Sequence, residues 1–235
     1  MAMTNGERFD EERAGKYDAW TRKTIPGYEA LHDMAMFFIK TGMENAPETP
    51  RLLIAGSGTG MELSYFAERN PKWTFTGADP SREMTAIAKR RLEERGLSER
   101  AEIHTGFVHD LPESEPYDAA TLILVMHFLP DDGEKLALLE SISARMKPDS
   151  PFILADLHAD KNSPKFPRFM ETKKARQSAT GMSEEDLEKW FDDLHANIHF
   201  VPEERILELL GEAGFKDVER FYNAILFGGW VARKG

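Results

Sequence analysis

Cysteine is absent from all 235 residues, so no disulfide can staple the fold, no thiolate can hold a metal and no thiol can act as a nucleophile. A reducing compartment is thereby permitted. Long apolar runs are missing too. No segment approaches the roughly 20 apolar residues that cross a bilayer, and the opening MAMTNGERFDEER has no apolar stretch of signal-peptide length. The expectation is a cytoplasmic protein without a membrane partner. Basic charge is scarce, with 30 Lys and Arg against 41 Asp and Glu and a formal charge of −11. Such a field repels phosphate backbones, which disfavours a nucleic-acid substrate. The one basic cluster, Lys165, Arg168, Lys173, Lys174 and Arg176 in KFPRFMETKKAR, reads as a solvated helix face. Internal repeats and low-complexity segments are also lacking, so solenoids and propellers are unsupported.

What is present is an ordinary globular balance, 41% hydrophobic and 30% charged, in a length suited to one domain. Residues 9–45 carry apolar side chains at mostly helical spacing, broken at Pro26-Gly27, which predicts two helices. Residues 51–55 (RLLIA) form a short continuous apolar run, as expected of a parallel strand covered on both faces. Further strands are expected at 74–78, 101–105, 119–125 and 151–155, alternating with helices at 60–69, 81–95 and 132–146. Ser81 supplies an N-cap for the second of these helices and Gly96 its end. Residues 161–200 interrupt the rhythm with polar helical sequence and read as a cap over the site. A helix at 202–213 and a closing antiparallel pair at 217–222 and 225–232 complete the chain. The fold class is therefore α/β, a doubly wound, mostly parallel, seven-stranded, Rossmann-like sheet with N-terminal helices and a helical cap insertion. We take residues 1–235 as one domain, with a ligand-binding core at 50–157 and a C-terminal helix and strand pair at 202–235.

Gly56-Ser57-Gly58-Thr59-Gly60 closes the first strand and opens a helix, where open α/β sheets bind ligands. Glycines there let a ligand approach the backbone, and the helix start offers unpaired N–H groups. Asp79 follows 19 positions after Gly60, directly behind the second strand, where an acid can hydrogen-bond ribose hydroxyls. A dinucleotide fingerprint would place glycine where Leu63 stands, so NAD is the weaker candidate.

Through LLIAGSGTG, GADPSREM, GFVHDLP and YDAATLILVMHFLP, in that order, the chain resembles the class I S-adenosylmethionine (SAM)-dependent methyltransferases over residues 51–156. The resemblance implies SAM as cofactor. It also implies that Gly56, Ser57, Gly58 and Gly60 wrap its methionine part and that Asp79 holds its ribose. Pro80, Ser81 and Met84 would lie beside sugar and adenine, and Phe107, Val108 and His109 beside the base. RKTIPGYEALHDM and FYNAILFGGWVA look like the narrower family containing the bacterial carboxy-SAM synthase of tRNA wobble-uridine modification, which implies that Tyr28 reaches the cofactor. Four positions depart from these patterns. Ile54 stands where an acid usually lies near the cofactor's ammonium group, and Phe107 where a polar residue often reads the adenine amino group. Phe191 aligns with the arginine that would pair the extra carboxylate of carboxy-SAM, and Leu122 with a strand asparagine.

Methyl transfer from a sulfonium is an in-line displacement that needs positioning and exclusion of water rather than a metal. A base matters only when the acceptor must lose a proton. His127 after the fourth strand, and Asp156 and His158 after the fifth, are the candidates, since they stand at the carboxyl edge. His195 and His199 have i, i+4 spacing but no third ligand nearby, so no metal is expected. Trp190, Phe191, Phe221, Tyr222, Phe227 and Trp230 are read either as an acceptor wall or as core and dimer packing. The expected partners are a small-molecule acceptor and a second copy of the chain. The readings carried forward are a small-molecule methyltransferase, a carboxy-SAM synthase-like enzyme acting on SAM and an acidic metabolite, and a non-catalytic binding protein.

Overall fold

The computed structural model describes residues 11–44 and 46–235, with the side chains of 11–15, 193 and 195 excepted. Phe9, the domain limit at 45 and the His195 side chain thus lie outside the described residues. The strands are β1 (Arg51–Ala55), β2 (Thr74–Asp79), β3 (Ala101–Thr105), β4 (Ala119–Ile123), β5 (Pro151–Leu157), β6 (Phe215–Ala224) and β7 (Phe227–Lys234). They form one sheet in the order β3-β2-β1-β4-β5-β7-β6. β1 to β5 run parallel, whereas β7 is antiparallel to β5 and β6 to β7. The sheet is therefore mixed, a parallel body with an antiparallel hairpin at one edge, and the doubly wound description applies to the parallel body.

Alternation along β1 shows how the sheet is covered. Leu52 and Ile54 pack with Leu31, Ile39, Leu63, Phe66, Ala88 and Leu92, which belong to α2 (Tyr28–Gly42), α3 (Met61–Arg69) and α4 (Arg82–Glu94). Leu53 faces the other way, with Leu139, Ile142, Ile206, Leu209 and Leu210 of α5 (Glu134–Ser143) and α8 (Glu203–Glu212). Successive side chains of a strand point to opposite faces, so a run with no polar residue needs helices on both. β4 and β5 are buried along their full lengths. Ser81 caps α4 by accepting the Met84 N–H at 3.2 Å, and Gly96 ends that helix with φ 65°.

Ends of β2, β4, β5, β6 and β7 differ from expectation, and those of β4 and β5 have a visible cause. β4 stops at Ile123 because Leu124 adopts φ 62°, a left-handed conformation that costs a branched residue about 1–2 kcal/mol and turns the chain. β5 continues to Leu157 because β7 keeps pairing with it, through Asp156 with Gly228 and Leu157 with Phe227.

The cap consists of α6 (Phe166–Ser178) and α7 (Glu184–Asn197). It packs on the end of α1 (Glu11–Thr24), where Arg176 Nη1 donates to the carbonyls of Lys23 at 2.6 Å and Thr24 at 3.0 Å. Trp190 meets Trp20 edge-on at 5.8 Å. The basic run is not a uniformly solvated face, since Lys173 turns inward and is 3% exposed. Its ammonium lies 4.3 Å from the Phe227 ring centroid and 4.9 Å from that of Trp190. Burial, aided by the Arg176 charge, pushes its pKa from 10.5 down to about 7. Between those values the unfolded chain binds more protons than the folded one, so stability climbs with pH across that window. Lys173→Met should stabilise the protein by about 3 kcal/mol at neutral pH. Thermal melts should show the variant's advantage shrinking steadily from about pH 7 to about pH 10; a constant gap would show that Lys173 does not titrate there.

Candidate functional site

β1 has β2 on one side and β4 on the other, so the chain leaves it in opposite directions and a crevice opens at the strands' carboxyl ends. The glycine turn floors this crevice. Gly56, Gly58 and Gly60 have φ of 69°, 51° and 73°, a region that side chains disfavour. The N–H groups of Gly56 and Ser57 both donate to the Ala78 carbonyl, at 2.8 and 3.0 Å. A β-carbon on Gly56 would overlap the Val125 side chain, and one on Gly60 would stand 3.0 Å from Ala88 Cβ. Asp79 faces the turn across the end of β2. Its Oδ2 accepts the Gly58 N–H and its Oδ1 the Ser81 N–H, both at 2.9 Å. Burial raises its pKa while these two bonds oppose the rise.

A cavity of about 370 Å³ lies above this floor. Of the residues nominated for the cofactor, Tyr28, Gly56, Ser57, Gly58, Asp79, Pro80, Met84, Phe107, Val108 and His109 line it, whereas Gly60 and Ser81 do not. Gly60 instead lets α3 approach α4, and Ser81 is a buried helix cap. Phe107, 47% exposed, stacks on His109 at 5.3 Å with planes 7° apart. That pair forms an aromatic ledge at the cavity wall.

Further lining residues escaped the sequence reading. Tyr17 and Asp18 of α1, His32 of α2 and Glu62 of α3 all border the cavity. Asp18 accepts the Thr59 hydroxyl at 2.6 Å and forms an ion pair with Arg91, which ties α1 to the glycine turn and α4. Burial pushes the Tyr17 hydroxyl up to about 12 and the His32 imidazole down to about 4, so at neutral pH both are uncharged. Tyr28 is likewise raised by burial. Glu62 is buried, accepts the Thr121 hydroxyl at 2.6 Å, and is pushed up to about 7 by burial against that bond. Four carboxyl groups, Asp18, Glu62, Asp79 and Glu134, line the cavity, and no lysine or arginine does so among the described residues. Glu62 had a signal in the sequence: it lies four positions before Phe66, on the buried face of α3. Asp18 had none, because the polarity of α1 hides which face is covered.

The three residues nominated as bases lie outside the cavity lining. His127 and Asp156 are buried and joined by a hydrogen bond between Nδ1 and Oδ1. Asp156 Oδ1 also accepts the Leu157 N–H at 2.8 Å, while its Oδ2 is buried without a partner. Phe128 separates this pair from the cavity it lines, its ring 4.1 Å from that of His127. His158 stands apart, its Nε2 3.0 Å from Arg220 Nη2 and its ring edge-on to Trp230 at 5.3 Å. Burial and the Arg220 charge lower its pKa. None of Trp190, Phe191, Phe221, Tyr222, Phe227 and Trp230 lines the cavity. Among the described residues no group of three His, Asp or Glu is placed to hold a metal, and no helix is long and apolar enough to cross a membrane.

Residues 53–152 match the sequence family described as a methyltransferase domain. The chain is 30% identical over 118 residues to an uncharacterized protein of Synechococcus sp., an overlap of 49% of this chain and 28% of that one. It thus spans under a third of that curated relative's length. Among solved structures it superposes on N,N-8-amino-8-demethyl-D-riboflavin dimethyltransferase from Streptomyces davawensis with a TM-score of 0.65 at 19% identity, covering 96% of this chain and 59% of that one. It also superposes on the 4+2 cyclase SpnF with a TM-score of 0.59 at 19% identity, over 86% and 81% of the two chains. The family match supports a methyltransferase, and the structural likenesses show the methyltransferase fold. That a cyclase shares the fold shows that the reaction has to be argued from the site.

Proposed function

We propose that this chain transfers a methyl group from SAM to a small-molecule acceptor. One observation carries the reading: the cavity over the glycine turn is lined by four carboxyls and by no lysine or arginine among the described residues. Such a wall favours a ligand with net positive charge and opposes a pyrophosphate, which would bring two negative charges to it. SAM carries a sulfonium and an ammonium against one carboxylate. The donor set fits it: Asp79 for ribose hydroxyls, the glycine turn for a close backbone approach, and the Phe107–His109 ledge with Met84 for a flat base. The carboxy-SAM synthase-like alternative gains less support, because among the described residues the cavity offers no lysine or arginine for a second carboxylate and Phe191 lies outside its wall.

When bound, SAM supplies a methyl group already activated by positive sulfur. The chain's own residues then hold, orient and shield. Tyr17, Tyr28 and His32 from the first two helices present uncharged groups, and the apolar side chains of Ile123, Leu124, Val125 and Phe128 keep the opposite wall dry. The His127–Asp156 pair fixes an imidazole tautomer behind Phe128. Isothermal titration tests the reading: SAM should bind with micromolar affinity and NAD not measurably. Absence of heat with SAM and S-adenosylhomocysteine would end it.

A further inference from the structure

We propose that Glu62 receives the α-ammonium of the bound ligand and gives up a proton to solvent as that cation arrives; the inference rests on reading the cavity as a SAM site. Thr121 on β4 pairs with Ile54 on β1, so their side chains share one face of the sheet, the face that Leu63 and Phe66 of α3 cover. Glu62 drops from the first turn of α3 onto that face and is held there by the Thr121 hydroxyl at 2.6 Å. Its carboxyl borders the cavity two residues beyond the glycine turn. If ribose sits at Asp79 on one side of the turn, the amino-acid tail of the ligand would reach toward Glu62 on the other. Ile54, in the adjoining strand, offers no charge.

Among the described residues no lysine or arginine lines the cavity to give Glu62 a countercharge. Facing the same cavity are Tyr17 and Asp18 from α1, Tyr28 and His32 from α2, Asp79 from β2, His109 after β3 and Glu134 from α5. Asp18 is already paired with Arg91, His32 is neutral at pH 7, and the two tyrosines keep their protons. Thr121 gives a hydroxyl and no charge. Burial sets the carboxyl near neutrality, at about 7, so in the empty site a large share of it is protonated at pH 6 to 7. A cation brought against it favours the carboxylate strongly in a site shielded from water. The step balances: the carboxyl O–H breaks, its proton passes to buffer, and the carboxylate pairs with an ammonium that keeps all its own protons.

Titration calorimetry in two buffers of different ionisation enthalpy counts that proton. At about pH 6, SAM should release close to one proton, and at about pH 8.5 almost none. Affinity should rise by up to tenfold per pH unit below about pH 7 and level off above it. S-adenosylhomocysteine keeps the ammonium and lacks the sulfonium, so it should release the same proton. 5′-Methylthioadenosine lacks the amino-acid tail and should release none. Glu62→Gln should abolish the release, flatten the pH dependence that Asp79 does not supply, and weaken SAM binding at least tenfold at high pH. Release retained by Glu62→Gln, or a proton counted with methylthioadenosine, would overturn the proposal. So would SAM or S-adenosylhomocysteine binding without proton release at low pH. These arms with the wild-type protein stand even if the variant does not fold. Failure of every adenosyl ligand to bind the wild type would overturn the SAM reading itself.

Discussion

Asp79→Ala is expected to cut SAM affinity by at least a hundredfold and to lower the melting temperature. Its carboxylate accepts the N–H of Gly58 with one oxygen and that of Ser81 with the other, so it ties the glycine turn to the start of α4 before any ligand arrives. Hydrogen bonds to a charged acceptor are worth about 1.5–3 kcal/mol each. Truncation removes two of them and the proposed ribose contact together, and it leaves the turn to the Asp18–Thr59 bond and its own backbone hydrogen bonds. Asp79→Asn separates these roles. Its single oxygen can keep one of the two backbone bonds, while its amide turns a donor toward the other N–H. The expected order of affinity by titration is wild type, then Asn, then Ala; an Asn variant binding as well as the wild type would show that no ionised carboxylate is used on the ligand.

Asp156→Ala is expected to destabilise the fold by about 1–3 kcal/mol, the usual cost of leaving a buried polar group without its partner, and so to lower the melting temperature by about 5 °C. His127, buried beside Phe128, loses its acceptor, and the Leu157 N–H loses its bond to the same carboxylate. Lys135 adds to the strain: it is fully buried, donates to the Met126 carbonyl at 2.8 Å, and has its pKa lowered by burial while Asp156 and Asp131 oppose the shift. Removing Asp156 takes away one of those two opposing charges. Thermal denaturation with Asp156→Asn beside it is the check. Asn retains an oxygen for one of the two donors and should recover part of the loss, whereas an Ala variant melting like the wild type would mean that the pair contributes nothing.

Much of the parallel body was legible because its strands carry two signals at once. β1 begins and ends where its apolar run does, since a turn rich in glycine follows it. Asp79 was legible for the same reason, as an acid placed by a strand end and a helix cap. The turn after β4 was hidden, because Leu124 bends the chain with φ 62° in a residue that normally extends it; only packing against β5, where its N–H meets the Ala155 carbonyl at 2.7 Å, holds it there. Lys173 was hidden because a helical charge run does not announce which member turns inward to two aromatic rings. Asp18 was hidden by distance along the chain, as its partner Arg91 adjoins it only in the folded protein, whereas the buried face of α3 signalled Glu62 and only its partner Thr121 was hidden.

The clasp between the two ends of the fold has a consequence for assembly. Tyr222 of β6 donates its hydroxyl to the Pro26 carbonyl, and Phe221 packs on Phe38 at 5.1 Å, so the helices bearing Tyr17, Asp18, Tyr28 and His32 lean on a hairpin near the opposite end of the chain. During synthesis the glycine turn and Asp79 can meet through β1 and β2 before β6 and β7 exist, whereas α1 and α2 wait for this support until that hairpin has emerged. A nascent chain that still lacks β6 and β7 therefore holds the floor of the pocket while the helices beside it are unbraced.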